Sequence, residues 1–281
     1  MGAVASKAHV PSWHERDPWV PASYSRETLR EALLDAGIAG VNSHDRPNVL
    51  WKIKRLAEDD PTARFGLSRV DEPSPEEVLR LVAEASGISP DPNERHGLVI
   101  VDPDKVIDAA TVAGDRLASA ARAGVRILIA TGHPSGLLQL YQEIGRLLEG
   151  GGAKLLRPLE GFTWEDDDGG RRRRRQIRYF RGVAVLTDRA SSLHTHSPDP
   201  MERMLEEADP DLVLADHGFA GAAIEAGIDT VSVADVNDPA LVVARAQGRA
   251  GPVIVMDDNV QPETYWPVLQ VIVSRFDANA G

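Results

Sequence analysis

Five short polar clusters contain most of the residues in this chain that could carry out chemistry. Each cluster follows an apolar run and precedes a segment of helical character. They are Gly132-His133-Pro134-Ser135, His194-Thr195-His196-Ser197, Asp216-His217-Gly218, Asp235-Val236-Asn237-Asp238 and Asp257-Asp258-Asn259. Because the carboxyl ends of parallel strands share one edge of a sheet, such clusters can converge on one crevice. A crevice rich in His, Asp and Asn is typical of a metal-assisted reaction centre.

The acidic and amide residues of these clusters are the expected ligands of a divalent metal ion. The candidates are Asp216, Asp235, Asn237, Asp258 and Asn259. The chain has no Cys, so thiolate ligands are excluded, and the remaining oxygen and imidazole donors favour Mg, Mn, Co or Fe over Zn. Two adjacent acids cannot both face inward from an extended strand, so either Asp257 or Asp258 is expected to be structural. Asp238 precedes Pro239 and is expected to cap a helix.

Four of the eight histidines lie in these clusters and are the expected catalytic residues. They are His133, His194, His196 and His217. His194 and His196 are two residues apart, so both point to the same side of an extended segment. Imidazole is both a common metal ligand and a proton carrier, so each of these residues could bind the ion or protonate a leaving group.

The loop that contains His133 is a candidate phosphate site. Gly132 and Gly136 would let the backbone approach a ligand, and Ser135 with the free amides of a helix start could hold an anionic oxygen. The alternative is an ordinary tight turn in which Ser135 caps the helix. The loop resembles neither a Walker loop nor the dinucleotide fingerprint.

Apolar runs without polar alternation predict the strands that place these clusters. Such runs suit strands that are buried on both faces, and each is followed by a segment of helical character. The sequence therefore predicts an α/β fold with a doubly wound, mostly parallel, Rossmann-like sheet. The runs are 98–101, 125–130, 183–186, 211–215, 230–234 and 252–256.

The first 95 residues lack the alternation of apolar runs and helical segments, and they are predicted to form a helical amino-terminal segment. Residues 1 to about 22 carry three prolines and two tryptophans without a period, which indicates an irregular arm packed by its aromatics. Helices are expected to begin near Ser25, Arg46 and Ser74. We therefore expect two domains, residues 1–95 and a catalytic domain over residues 96–281.

A charged stretch at about 160–180 interrupts the strand and helix alternation. An acidic run from Glu165 to Asp168 is joined by two glycines to a basic run from Arg171 to Arg175. We expect a solvated β-hairpin with charge pairs between its strands. A nucleic-acid or anion patch is the alternative, and the role of the basic run is open.

Composition restricts the class of protein further. The chain has 281 residues, 42% of them hydrophobic, which suffices for one large domain or two closely packed ones. The net charge of -12 argues against general nucleic-acid binding. No apolar run is long enough to span a bilayer and no signal-peptide core is evident, so a cytoplasmic protein without a membrane partner is expected. Whether protomers pair into a homo-oligomer is open.

Four segments together resemble an actinobacterial family of phosphatases whose substrate is unassigned. They are 130–136, 193–198, 215–218 and 234–239, and the resemblance also includes Arg46, Asn48 and Phe65-Gly66. It implies hydrolysis of a phosphate ester. A weaker similarity, at Asp258-Asn259, is to the metal-dependent damage-control phosphatases, which join a helical amino-terminal part to a Rossmann-like sheet. The His-x-His of 194–196 is similar to that of polymerase-and-histidinol-type phosphoesterases, but too few residues follow it for their barrel.

The expected activity is therefore a metal-dependent phosphatase that hydrolyses a small phosphorylated metabolite by attack of metal-activated water. Arg46 and Asn48 are expected to reach in from the helical segment and select the substrate, unless they belong to a surface helix. The alternatives are an isomerase or lyase acting on a phosphorylated sugar, and a sensor that binds a phosphorylated metabolite without turnover.

Overall fold

The amino-terminal part is largely helical, as predicted, and it also contains one unexpected strand. The computed structural model describes residues 17, 19–69, 73–168 and 171–277. The predicted arm falls mostly outside these residues, although Trp19 packs against the core. The side chains of Ser25 and Ser74 accept hydrogen bonds from the first turns of their helices, so both predicted caps are confirmed. The elements are α1 (Arg26–Asp35), β1 (Gly40–Asp45), α2 (Arg46–Ala57), α3 (Pro61–Arg64) and α4 (Pro75–Ser86).

The strand predicted at 98–101 forms, but its expected place in the main sheet was wrong. β2 (Leu98–Val101) pairs antiparallel with β1 in a separate two-stranded sheet. Its side chains alternate, with Val99 and Val101 buried and Leu98 and Ile100 exposed. An apolar run of four residues does not distinguish burial on one face from burial on both, and here only one face packs.

The other five predicted strands form the parallel part of a nine-stranded mixed sheet. Their cores are fully buried, as expected for strands covered on both faces. The remaining strands are two short strands of two residues each and the two strands of the charged hairpin. In chain order they are β3 (Arg126–Thr131), β4 (Lys154–Leu155), β5 (Thr163–Asp168), β6 (Arg171–Phe180), β7 (Val183–Asp188), β8 (Ser191–Ser192), β9 (Leu212–Asp216), β10 (Thr230–Ala234) and β11 (Val253–Val255).

The order of the parallel strands creates a reversal next to two of the polar clusters. Across the sheet the strands run β11, β10, β9, β3 and β7, whereas along the chain β7 follows β3. The chain therefore moves outward in one direction after β3 and in the other direction from β9 onward. In open α/β sheets ligands bind where the order reverses, outside the carboxyl ends of the strands. His133 follows β3 and His217 follows β9, so both lie at this point.

The charged hairpin is present and extends the sheet beyond β7. β5 pairs antiparallel with β6, and β6 pairs antiparallel with β7. Opposite charges face each other across the hairpin, with Arg172 lying 3.3 Å from Glu165 and Arg175 lying 3.6 Å from Asp166. The expected pairing of charges between its strands is therefore confirmed.

The helices of the second part fall into two groups that contact different elements. α5, α6 and α10 contact one another, while α7 contacts α8 and α8 contacts α9. No helix in the described part of the chain combines the length and the apolar character that a bilayer crossing requires. These helices are α5 (Pro103–Arg122), α6 (Pro134–Gly150), α7 (Asp199–Glu207), α8 (His217–Glu225), α9 (Pro239–Ala246) and α10 (Trp266–Asp277).

A close approach at Gly221 joins the amino-terminal part to the sheet. Phe65 adopts a left-handed conformation with φ of 55°, and its backbone carbonyl packs onto α8 where Gly221 has no side chain. A Cβ at this position would overlap the carbonyl of Phe65. Contact at this distance is therefore restricted to glycine.

We predict that Gly221→Ala lowers the free energy of unfolding by at least about 2 kcal/mol, because either α8 or the segment at Phe65 must move. Gly150→Ala is the matched control, since a Cβ at the end of α6 would meet no atom within 4 Å. Urea unfolding of both variants measures the difference. Equal stability of the two variants would contradict this account of the contact.

Candidate functional site

Four imidazoles meet at the carboxyl edge of the sheet and form what we call the histidine cluster, His133, His194, His196 and His217. The rings of His133 and His194 stack with centroids 4.4 Å apart, and those of His196 and His217 stack at 4.6 Å. The centroids of His194 and His217 lie 5.2 Å apart. The structure therefore brings together all four histidines that the sequence singles out, from segments that lie far apart along the chain.

His217 is the central member, and the residue before it fixes its orientation. β9 ends at Asp216 and α8 begins at His217 without an intervening loop, and the φ of His217 is 46°. Nδ1 of His217 donates to Oδ1 of Asp216 over 2.8 Å, and the same oxygen accepts from the backbone amide of Gly132. The proton on Nδ1 is thereby fixed, which directs Nε2 toward the rest of the site.

Two further buried carboxylates face Nε2 of His217. The Nε2 atom lies 3.3 Å from Oδ2 of Asp238 and 3.5 Å from Oδ2 of Asp258. Burial lowers the pKa of His217, but Asp238 and Asp216 raise it by more, so the pKa lies well above its usual value. Burial raises the pKa of Asp238, whereas His217 lowers it to about 2.

Asp238 therefore does not act as the helix cap that the sequence suggests. It occupies the position before α9, but its side chain makes no capping hydrogen bond there. Its carboxylate is directed to His217 instead. The tendency of Asp to cap a helix is a local preference, and here a buried imidazole offers the stronger partner.

His194 and His196 lie on one side of an extended segment, as their spacing predicts. The amide of Thr195 between them donates to the carbonyl of Gly132 over 2.8 Å, which attaches this segment to the end of β3. The Nε2 atoms of the two histidines lie 3.1 Å apart. Burial and the neighbouring His217 lower the pKa of His196 to about 3. The short distance between the two Nε2 atoms and this low pKa both favour neutral imidazoles.

Two sets of side chains place their ligand atoms close enough to hold a metal ion. In each set the ligand atoms all lie within 4.8 Å of one another, and His217 belongs to both. One set is His133, His194 and His217, and the other is His217, Asp238 and Asp258. Asp258 is thus the one residue of the predicted ligand list that belongs to either set in the described part of the chain.

Asp235 lies at the end of β10, but both of its oxygens are already bonded. Oδ1 accepts from Nδ2 of Asn42 over 2.9 Å and from the amide of Val236, and Nδ1 of His44 donates to Oδ2 over 3.0 Å. Burial raises the pKa of Asp235 to about 7, against the effect of His44. Asn42 and His44 belong to a bulge of β1, so this carboxylate ties the amino-terminal part to the sheet.

The adjacent acids after β11 divide their roles. Asp257 accepts from the amide of Ser43 over 2.6 Å, from its hydroxyl over 3.1 Å and from the amide of Asn259 over 3.0 Å. Asp258 instead faces the histidine cluster, with Oδ1 lying 3.3 Å from Nδ1 of His133. Asp257 is therefore the structural member of the pair.

The other two predicted metal ligands, Asn237 and Asn259, belong to neither ligand set. Nδ2 of Asn237 donates to Oδ1 of Asn48 over 2.9 Å, so these two predicted site residues meet at the contact between α2 and the loop after β10. Asn259 is exposed, and its backbone amide donates a hydrogen bond to Asp257.

The glycines of the predicted phosphate loop serve close packing. A Cβ on Gly132 would lie 2.5 Å from the carbonyl oxygen of Thr195, and one on Gly136 would lie 2.5 Å from that of Asp258. Ser135 is exposed in the first turn of α6. The two glycines thus let three strand ends approach one another, which is a precondition for the cluster.

Arg46 is buried and holds a loop of the amino-terminal part. Its guanidinium donates to the backbone carbonyls of Glu94, Ser89 and Asp91 at 2.8, 2.7 and 2.6 Å. The structure therefore does not place this side chain at the histidine cluster. Each of its three nitrogens is engaged by the loop.

Three residues of the amino-terminal part contribute to the site without a signal in the sequence that marks them. The buried ring of Phe65 makes edge contacts with His196 and His217 at centroid distances of 5.2 and 5.6 Å. Lys52 acts electrostatically on Asp238 and His196. His44 bonds Asp235, as described above. Phe65 belongs to the family resemblance, whereas nothing in the sequence marks Lys52 and His44, because contacts between distant segments leave no local pattern.

Comparison with known proteins assigns the chain to a family. A family model described as Phosphatase matches residues 24–280. The chain belongs to this phosphatase family. It is also 36% identical over 264 residues to Phosphatase SCO2771 of Streptomyces coelicolor, an alignment that covers 91% of this chain and 98% of that protein. The resemblance drawn from the sequence motifs is therefore confirmed, and the histidine cluster is the candidate active site of a phosphatase.

We predict that removing Asp257 and removing Asp258 have different effects on stability and on metal binding. Asp257→Ala should lower the free energy of unfolding of the metal-free protein by about 3 kcal/mol, because three hydrogen bonds to a carboxylate are lost. Asp258→Ala should change it by no more than about 1 kcal/mol, since Oδ2 of Asp258 has no hydrogen-bond partner.

Urea unfolding in the presence of a chelator measures both values. Calorimetric titration with Mn²⁺ should show the reverse order, with affinity weakened more by Asp258→Ala. Equal losses of stability in the two variants would contradict the division of roles.

Proposed function

We propose that this phosphatase is a metal-dependent phosphomonoesterase that acts on a small phosphorylated metabolite. The observation that supports this most strongly is the pair of ligand sets that share His217. The strand order, which in chain terms is 2-1-3-4-5 with the site at its reversal, supports the Rossmann-like doubly wound arrangement expected from the sequence.

The donor set fits a divalent cation. Nδ1 of His133 and Oδ2 of Asp258 are buried and have no hydrogen-bond partner, although buried polar atoms are normally paired. Nε2 of His217 lies between two carboxylates, at distances that exceed those of good hydrogen bonds. A cation would satisfy these atoms together and offset the buried negative charge.

The residues that would hold an ion are either His133, His194 and His217, or His217, Asp238 and Asp258. Mixed imidazole and carboxylate donors suit Mn, Fe, Co or Zn better than Mg. When bound, such an ion supplies a water of lowered pKa as nucleophile and neutralises charge on the phosphoryl oxygens.

The surrounding residues orient this chemistry. Asp216 keeps the proton of His217 on Nδ1, as in the carboxylate and histidine pairs that orient metal ligands. Phe65 fixes the rings of His196 and His217 from the other side. His196 belongs to neither ligand set, and we assign to its neutral imidazole a hydrogen bond to the leaving oxygen.

The phosphatase family favours hydrolysis over the isomerase, lyase and sensor alternatives. A panel of small phosphate monoesters, assayed for release of inorganic phosphate by the purified protein, tests the proposal. We expect activity that a chelator abolishes and Mn²⁺ restores, and that is absent from Asp258→Ala purified in parallel. Release that withstands chelation would contradict metal dependence, and failure to hydrolyse any ester would contradict the function.

We further predict that Asp216→Asn lowers kcat/KM by about 10- to 100-fold, because a neutral amide oxygen holds the Nδ1 proton of His217 more weakly than a carboxylate does. Asp209→Asn, at an exposed carboxylate, is the matched control and should leave kcat/KM unchanged. Steady-state kinetics with saturating Mn²⁺ measures the effect. Wild-type kinetics in Asp216→Asn would exclude the proposed orienting role.

A further inference from the structure

One ammonium group on α2, the helix whose Asn48 contacts the loop after β10, forms no ion pair in the described part of the chain. Lys52 on α2 is half-buried, and it forms no ion pair with any residue of the described ranges. The other basic residues of this helix are engaged, Lys54 with Glu58 at 3.5 Å and Arg55 with Asp60. Lys52 therefore keeps its positive charge available to a ligand.

The register of α2 places Lys52 on the face that meets the site. Asn48 lies one turn earlier, and its Oδ1 accepts from Asn237 in the loop after β10. Residues four apart lie on the same face of a helix, so Lys52 follows Asn48 along the contact between α2 and α9. α9 begins directly after Asp238, which is a candidate metal ligand.

The electrostatics agree with this placement. Burial raises the pKa of Asp238 and His217 lowers it, with a smaller lowering by Lys52. Burial and His217 lower the pKa of His196, again with a smaller contribution from Lys52. Asp238 and His196 belong to the centre of the site, yet neither forms an ion pair with Lys52 in the described structure. Nζ of Lys52 lies 6.0 Å from the centroid of the neighbouring Trp51 ring, and its charge acts on the site without an ion pair.

A phosphate ester needs such a group here. The carboxylates Asp216, Asp238 and Asp258 are buried at this edge and would repel a phosphoryl dianion. Arg46, the cation that the sequence suggests for this task, is bound to three carbonyls. Lysine is an established point charge for phosphate in proteins.

We propose that Lys52 binds the phosphoryl oxygens of the substrate and thereby positions the phosphate against the metal site. Lys52 is then a substrate-binding residue, and its loss affects the affinity for phosphate more than the affinity for the metal. This inference rests on the proposed phosphatase function for its substrate, but phosphate binding can be measured without turnover.

Inorganic phosphate is the probe, titrated calorimetrically into the full-length, Mn²⁺-loaded protein. We expect Lys52→Ala to weaken phosphate binding by about tenfold or more, and Lys52→Arg to restore most of it. Lys54→Ala, on the exposed face of the same helix, is the matched control and should bind phosphate like the wild type. Mn²⁺ affinity and the melting temperature should stay close to wild type in all three variants.

The KM and kcat of an ester hydrolysed by the protein provide a second measure, in which Lys52→Ala should raise KM more than it lowers kcat. Phosphate affinity within about twofold of wild type in Lys52→Ala would overturn the proposal, as would a wild-type protein that does not bind phosphate. Lys52-dependent phosphate binding without hydrolysis of any ester would support the proposal and contradict the phosphatase function.

Discussion

The imidazole of His217 lies among three buried carboxylates, and the arrangement of the whole site depends on this contact. Asp216 holds one ring nitrogen, while Asp238 and Asp258 face the other. Removing the only partner of a buried charge typically costs about 3–5 kcal/mol, whereas here three carboxylates share one imidazole, so the segments that carry them are linked through His217. β9, the loop before α9 and the turn after β11 are therefore held together by charge as well as by apolar packing.

The fold brings these charges together through the reversal of strand order between β3 and β9. Close packing of the backbone at Gly132, Gly136 and Gly221 then allows the strand ends and the amino-terminal part to meet. Asp235 and Asp257 bind the bulge of β1, and Phe65 packs against two of the histidines. The amino-terminal part thus forms one wall of the site. The carboxylates look alike in the sequence, but Asp235 and Asp257 bind this wall. Asp238 and Asp258 face the histidine cluster instead.

The sequence predicted those features that depend on local chemistry. Continuous apolar runs located five parallel strands, and the polar residues that end them located the four histidines. It could not predict that β2 packs on one face only, because a run of four apolar residues is the same in both cases. Nor could it show which of Asp257 and Asp258 faces the site, since that depends on Ser43, more than 200 residues earlier. Arg46 lies on the same helix as Lys52, and only its tertiary contacts show that it holds a loop of the amino-terminal part.

The location of a bound divalent ion tests the central claim most directly. Crystals of the protein grown with Mn²⁺ would reveal the ion through its anomalous scattering. This account predicts an anomalous peak within coordination distance of Nε2 of His217 and of at least one carboxylate, Asp238 or Asp258. Well-ordered crystals in which His217 pairs directly with these carboxylates, with no peak among the four histidines, would contradict it.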